Sequence, residues 1–208
     1  MIGVIGCGNM AQAIVKGYYQ KNNSVKFLTY TPSFTRADEL AREVNGESAK
    51  GLSELKRADS IVIACKPQQL DSLCESIKSA GLDLSHKHII SILAATPIDS
   101  LKLKLGVSQV SRVMPNTPSL VGKGMSLLIH SSEVTDQQKS LVNDFFTSCG
   151  EVALMPSELT FDQVTTVSGS GPAYVFLFAQ TMADKLVSWG VAEDEAKKIA
   201  IQLFCGSS

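Results

Sequence analysis

Met1-Ile2-Gly3-Val4-Ile5-Gly6-Cys7-Gly8-Asn9-Met10-Ala11 opens the chain, and its reading decides the fold. An apolar run enters a G-x-G-x-x-A turn, and a helix-like stretch from Met10 to Tyr19 leaves it. Each small residue has a task. Gly6 permits the tight turn, Gly8 lets the backbone approach a pyrophosphate, and Ala11 lets the helix lie close on a sheet. The free N–H groups and positive dipole end of that helix then face the phosphates. With a strand before it and a helix after it, the motif is expected to cradle a dinucleotide. A glycine-rich turn kept only for packing is the competing reading.

Working outward, strand and helix patterns alternate for more than a hundred residues. Val25 to Tyr30 reads as a second strand, and Thr35 to Val44 as a helix stopped by Asn45-Gly46. Ser60 to Cys65 is apolar along nearly its whole length, as a strand covered on both faces should be. Leu70, Leu73, Cys74 and Ile77 follow at helical spacing. His88 to Leu93 reads as a strand, and Thr96-Pro97-Ile98-Asp99 offers an N-cap, a proline at the first helical position and an early acid. Val110 to Met114 and Met125 to Ile129 read as further strands. Thr135-x-x-Gln138 is a capping box opening a helix that Gly150 ends. Such alternation predicts a doubly wound, Rossmann-like α/β sheet, parallel with right-handed crossovers, over residues 1–156.

The pattern changes near residue 157. Glu158 to Val167 reads as a helix, Ser168-Gly169-Ser170-Gly171-Pro172 as a break, and a helix runs from Pro172 to about Trp189. Its opening, Ala173-Tyr174-Val175-Phe176-Leu177-Phe178-Ala179, is apolar on every side, so it must be enclosed. Ala192 to Cys205 starts another helix. Residues 157–208 are thus an all-α part too small to cover its own apolar surface, which calls for a partner subunit, further sequence, or both.

Composition narrows the class. The chain has 208 residues, 19 basic and 20 acidic, and a net charge of −1. That balance gives no electrostatic case for nucleic acid or an anionic membrane. No apolar run approaches the roughly 20 residues that span a bilayer. The opening leads straight into a site and not into a cleavable leader, so a cytoplasmic address is expected. Five cysteines without C-x-x-C spacing read as reduced structural thiols, and three histidines without ligand spacing give no metal site.

An acid ends the second strand in sites that prefer NAD. Here that strand ends Tyr30-Thr31-Pro32-Ser33-Phe34-Thr35-Arg36, and no carboxylate stands there. Hydroxyls on Thr31, Ser33 and Thr35 with the charge of Arg36 suit a 2′-phosphate, which favours NADPH, with NADH as the alternative. Ser33 and Thr35 also fit simple helix capping, and Arg36 an ordinary surface position.

Four segments then occur in order: Gly6-Cys7-Gly8-Asn9-Met10, Lys66-Pro67, Met114-Pro115-Asn116-Thr117-Pro118 and Ser168-Gly169-Ser170-Gly171-Pro172-Ala173-Tyr174. Together they resemble the Δ1-pyrroline-5-carboxylate reductase family, the last step of proline biosynthesis, over essentially the whole chain. The resemblance implies NADPH-dependent reduction of the cyclic imine of 1-pyrroline-5-carboxylate to L-proline by a homodimer, or a multiple of dimers, paired through the C-terminal helices. It implies cofactor contacts at Gly6, Cys7, Gly8, Asn9, Met10, Thr31, Ser33, Arg36, Ala64, Cys65, Lys66, Pro67, Ala94 and Asn116. It puts Glu158 near the ring nitrogen, where Glu158 also reads as a helix N-terminal acid. It puts Ser168, Gly169 and Ser170 by the substrate carboxylate, or at an interdomain bend. Three departures stand out, one of them Gln180, where the family commonly has an acid within the long helix. Ala95 replaces the family's usual glycine, and the family's later Ser-Pro-Gly-Gly-Thr-like loop does not occur in these residues, so no catalytic hydroxyl is named. The alternative is a catalytically silent NADPH-binding, subunit-pairing paralogue. A β-hydroxyacid dehydrogenase would need a lysine early in the long helix, and the first is Lys185.

Overall fold

The computed structural model describes residues 1–207; Ser208, the last residue of the expected helical part, lies outside them. Eight strands form one sheet: β1 (Ile2–Ile5), β2 (Phe27–Tyr30), β3 (Glu47–Ser48), β4 (Ser60–Ile63), β5 (His88–Ser91), β6 (Val110–Met114), β7 (Gly124–His130) and β8 (Gly150–Leu154). Their order across the sheet is β3-β2-β1-β4-β5-β6-β7-β8. The first six are parallel, and the order reverses between β1 and β4, which makes the carboxyl ends there a natural ligand crevice. The expectation of a wholly parallel sheet is corrected at one seam, since β7 runs antiparallel to β6. The link from β6 to β7 is only a short 3₁₀ turn at Thr117–Val121, far too short for a crossover helix.

Alternating side chains sort the core into two layers. Ile2 and Val4 of β1, Val62 of β4 and Ile90 of β5 face α1 (Asn9–Lys21), α2 (Thr35–Glu43) and, farther across the sheet, α5 (Asp136–Thr147). Ile5, Ile61, Ile63 and Ile89 face α3 (Leu70–Ser79), α4 (Ile98–Leu105) and α6 (Glu158–Ser168). The first layer closes on Phe27, Phe145 and Phe146, all fully buried, each contributing about 1.5–3 kcal/mol by its removal from water. The Thr135–Gln138 capping box forms as expected.

Several local expectations shift. Thr96 does not cap α4: its hydroxyl turns back to the Ala94 carbonyl, and Pro97 is the N-cap residue. Gly150 does not merely end a helix. It starts β8, with φ 146° against the backbone of Gly124, where any Cβ would collide. Strands β3 and β8 had no alternating apolar signal, and each is held at an edge of the sheet. α6 lies on the sheet through Phe161 and Val164. The segment 168–172 is hardly a break: only two residues separate the end of α6 from the start of α7 (Gly171–Ser188), with α8 (Glu193–Ser207) packed back on it. α7 leaves Tyr174, Val175, Phe176, Leu177 and Phe178 exposed, with only Ala183 buried.

Candidate functional site

Carboxyl ends of β1, β2, β4, β5 and β6 deliver Gly6–Gly8, Thr31, Ala64–Lys66, Ile92–Ala95 and Pro115–Asn116 to one rim of the sheet. Gly6 takes φ 93°, and a Cβ there would stand 2.7 Å from the Ala64 backbone. Only glycine allows β1 and β4 to come this close and still turn. At Gly8 the situation is reversed: nothing lies within 4 Å of where a Cβ would point. That empty cradle sits at the N-terminus of α1, whose cap residue offers no side chain and whose first turn holds no acid. A phosphate fits both the space and the dipole.

Beside it lies a cleft of about 370 Å³. Gly6, Cys7, Gly8, Thr31, Arg36, Ala64, Cys65 and Lys66 line it, so eight of the expected cofactor residues come together. Among the described residues the lining holds two cations, Arg36 and Lys66, and no carboxylate. The Thr31 hydroxyl is buried there without a hydrogen-bond partner. An orphaned donor in a lining with two cations and no carboxylate fits a phosphorylated ribose better than a bare one. Burial pushes the Cys7 thiol up to about 11, the Tyr30 backbone opposing this slightly, so Cys7 contributes backbone and packing and no thiolate. Burial also raises the Cys65 thiol.

Not every expected residue reaches this cleft. Asn9 is exposed on the first turn of α1, Met10 packs toward the core, and Ser33 and Pro67 are exposed outside the lining. Ser33 and Thr35 do not cap α2: Phe34 is the N-cap residue, with φ 60° and no side-chain cap. Ala94 stands exposed in the turn after β5, next to Ala95, whose φ of 51° is left-handed. That backbone explains why glycine would suit position 95. Asn116 is held from both ends of its amide: Nδ2 donates to the Ser168 carbonyl at 2.9 Å, and Oδ1 accepts from Met125 N–H at 2.9 Å.

Glu158 is likewise engaged on both oxygens. Oε1 accepts from Ile98 N–H at 2.9 Å and so caps α4, while Oε2 pairs with Arg112 Nη1. Ser168, Gly169 and Ser170 form the corner between α6 and α7. A Cβ on Gly169 would stand 3.5 Å from Met114 Cε, and the Ser168 hydroxyl is buried without a partner. Sequence reasoning passed over Arg112, whose side chain is 2% exposed. The signal was there: an arginine inside the strand Val110-Ser111-Arg112-Val113-Met114, with Glu158 and Asp162 one helical turn apart downstream. It also passed over Gln69, Ser72 and Ser76, which line the cleft.

Comparison with known proteins agrees with this geometry. Residues 1–95 match the family model "NADP oxidoreductase coenzyme F420-dependent", and residues 158–208 match "Pyrroline-5-carboxylate reductase dimerisation". A pyrroline-5-carboxylate reductase of Escherichia coli K12 is 34% identical over 215 residues, covering 100% of this chain and 77% of that protein. The enzyme of Pasteurella multocida is 30% identical, covering 98% of this chain and 76% of its own length. A solved pyrroline-5-carboxylate reductase from Coxiella burnetii superposes with TM-score 0.86 at 28% identity, over 99% of this chain and 77% of that one. The Plasmodium falciparum pyrroline carboxylate reductase with NADP bound gives 0.80 at 31% identity, over 99% and 76%. From the glycine cradle to the C-terminal helices, the chain belongs to the pyrroline-5-carboxylate reductase family.

Proposed function

We propose that this chain binds NADPH along the carboxyl rim of its sheet and reduces the cyclic C=N bond of 1-pyrroline-5-carboxylate to give L-proline. The carboxylate-free cleft, lined by Arg36, Lys66 and the orphaned Thr31 hydroxyl, supports the cofactor half of the reading most directly. When bound, NADPH supplies the hydride. Backbone at Gly8 and the open N–H groups of α1 hold the diphosphate, and Arg36 with Thr31 holds the 2′-phosphate. Ala94 and the Met114–Asn116 segment border the nicotinamide half. The corner Ser168–Ser170 offers hydroxyls and small residues for the substrate carboxylate. Glu158 keeps acceptor capacity beyond its two protein partners, since a carboxylate has about four lone-pair sites. Aimed at the ring nitrogen, it would favour the protonated imine, which accepts hydride more readily.

The same reading assigns residues 1–156 to cofactor binding and 157–208 to subunit pairing. In this assignment a second copy covers the exposed Tyr174–Phe178 face, giving a homodimer or a multiple of dimers in the cytoplasm. Among the described residues no helix is long and apolar enough to cross a membrane. Incubation with pyrroline-5-carboxylate and NADPH, followed by the absorbance of the reduced cofactor, tests the reaction. Proline formation at the rate of NADPH loss is expected. A folded, NADPH-binding protein without turnover would instead support the silent subunit-pairing paralogue.

A further inference from the structure

The middle of β6 carries a charge that the reaction as described leaves unused. Arg112 is buried, and a buried guanidinium is costly unless its N–H groups are paired. Nη1 pairs with Glu158, Nη2 donates to Asp162 Oδ1 at 2.7 Å, the guanidinium carbon stands 4.3 Å from the centre of the Phe161 ring, and Nε alone is left without a partner. Glu158 and Asp162 lie four residues apart on α6, hence on one face of it. Glu158 passes the restraint on, because its other oxygen caps the start of α4 at Ile98. One guanidinium therefore ties β6, α6 and α4 together.

A second clasp lies farther along both elements, where Asn116 holds the Ser168 carbonyl. From 112 to 116 extended chain covers roughly 13 Å, and from 158 to 168 a helix covers roughly 15 Å. The two spans nearly match, so α6 runs alongside β6 and in the same direction, fixed at both ends. Its far end carries Ser168–Ser170 to the rim, and the capped start of α4 directly follows the loop Ala94–Thr96.

We infer that Arg112 is a positioning residue for the reduction: by holding Glu158 and Asp162 it sets the substrate-side corner at Ser168–Ser170 against the cofactor-side loop at Ala94–Thr96. This rests on the reductase reading above. Arg112 does not line the cleft around Gly8, Thr31 and Arg36, so its loss should spare cofactor affinity.

The test varies pyrroline-5-carboxylate at saturating NADPH for wild type, Arg112→Met, Arg112→Lys and Asp162→Asn, and titrates NADPH separately by fluorescence. Arg112→Met should lower kcat/KM for the imino acid about 100-fold, the scale of a reacting group misplaced by an ångström. The Kd for NADPH should stay at the wild-type value. Arg112→Lys, which keeps the charge and loses the fork, should recover part of the rate, and Asp162→Asn should lose about tenfold by the same displacement. A folded Arg112→Met protein with wild-type kcat and KM would overturn the inference. So would an NADPH Kd that rises in step with the imino-acid KM, since that is general damage. If Arg112→Met does not fold, Arg112→Lys and Asp162→Asn carry the same two outcomes. A wild-type protein that binds NADPH without turnover marks failure of the reductase reading, and this inference falls with it.

Discussion

The two ends of the same strands are built in opposite ways. At the carboxyl rim the backbone turns through Gly6 at φ 93°, Phe34 at 60° and Ala95 at 51°, and the Thr31 hydroxyl is buried unpaired. At the amino edge a polar chain crosses β4, β5, β6 and β7 with no gap. Ser60 Oγ lies 3.2 Å from His88 Nδ1, His88 Nε2 lies 2.7 Å from Ser111 Oγ, and Ser111 Oγ lies 2.8 Å from His130 Nδ1. One edge holds strain and orphaned groups, and the other satisfies its buried groups within the protein. Local cost gathers at the rim, where a ligand can offset it, although Asn45 (φ 46°) before β3 and the unpaired Arg112 Nε inside β6 lie elsewhere.

The largest expected effect breaks the rim. Gly6→Val adds a β-branched side chain at positive φ and drives it into the Ala64 backbone. Strain and overpacking together should cost about 4 kcal/mol of stability and abolish NADPH binding. Denaturant unfolding with and without NADPH measures both. A variant that is still stabilised by NADPH like the wild type would show that this turn is not the cradle.

The amino edge should fail through protons instead. Burial, with His130 adding to it, pushes His88 down to about 4, against about 6.5 in an unfolded chain. A base whose folded value is depressed takes its proton first in the unfolded state. Its contribution is complete above about pH 6.5, is lost as pH falls toward about 4, and changes no further below that. The loss should reach about 3 kcal/mol. Urea midpoints from pH 8 to pH 4 check it, and His88→Asn should flatten the curve within that window. Equal slopes for the two proteins would refute the assignment.

What could be read from residues alone follows the same division. The rim was legible because strand, G-x-G-x-x-A and helix are a local pattern whose parts must touch. Thr31 and Arg36 were legible because they follow directly from the second strand. The doubly wound order followed from βα alternation, but the β6–β7 reversal did not, since a short turn such as Thr117–Val121 carries no direction in its composition. Strand β3 has two residues, too few for a period to show. The Ser60–His88–Ser111–His130 chain was hidden because its members are distant in sequence and meet only through register. Position 158 reads as a helix-start acid in any sequence. Its capping of a different helix, α4, and its pairing with Arg112 exist only once α6 is laid along β6.

A smaller effect tests the cofactor half of the rim. Arg36 lines a cleft with no carboxylate among the described residues, so Arg36→Ala should raise KM for NADPH about tenfold, near 1.4 kcal/mol, and leave KM for NADH unchanged. Parallel changes for the two cofactors would remove Arg36 from the 2′-phosphate and leave only Thr31 and Lys66 to hold it.

The smallest effect sharpens the comparison most, because it concerns two adjacent alanines on one exposed turn. Ala95 holds a left-handed φ of 51°, which costs a residue with a Cβ about 1 kcal/mol or somewhat more. Glycine removes that cost but loosens the unfolded chain by about 0.4–1 kcal/mol. Ala95→Gly should therefore stabilise slightly, by about 0.5 kcal/mol. Ala94 has no positive φ, so Ala94→Gly meets only the entropic loss and should destabilise by a similar amount. Opposite signs at neighbouring positions can come only from the backbone, since both methyl groups are exposed. Thermal unfolding of the pair decides it, and the same sign at both would mean that the rim after β5 stores no strain.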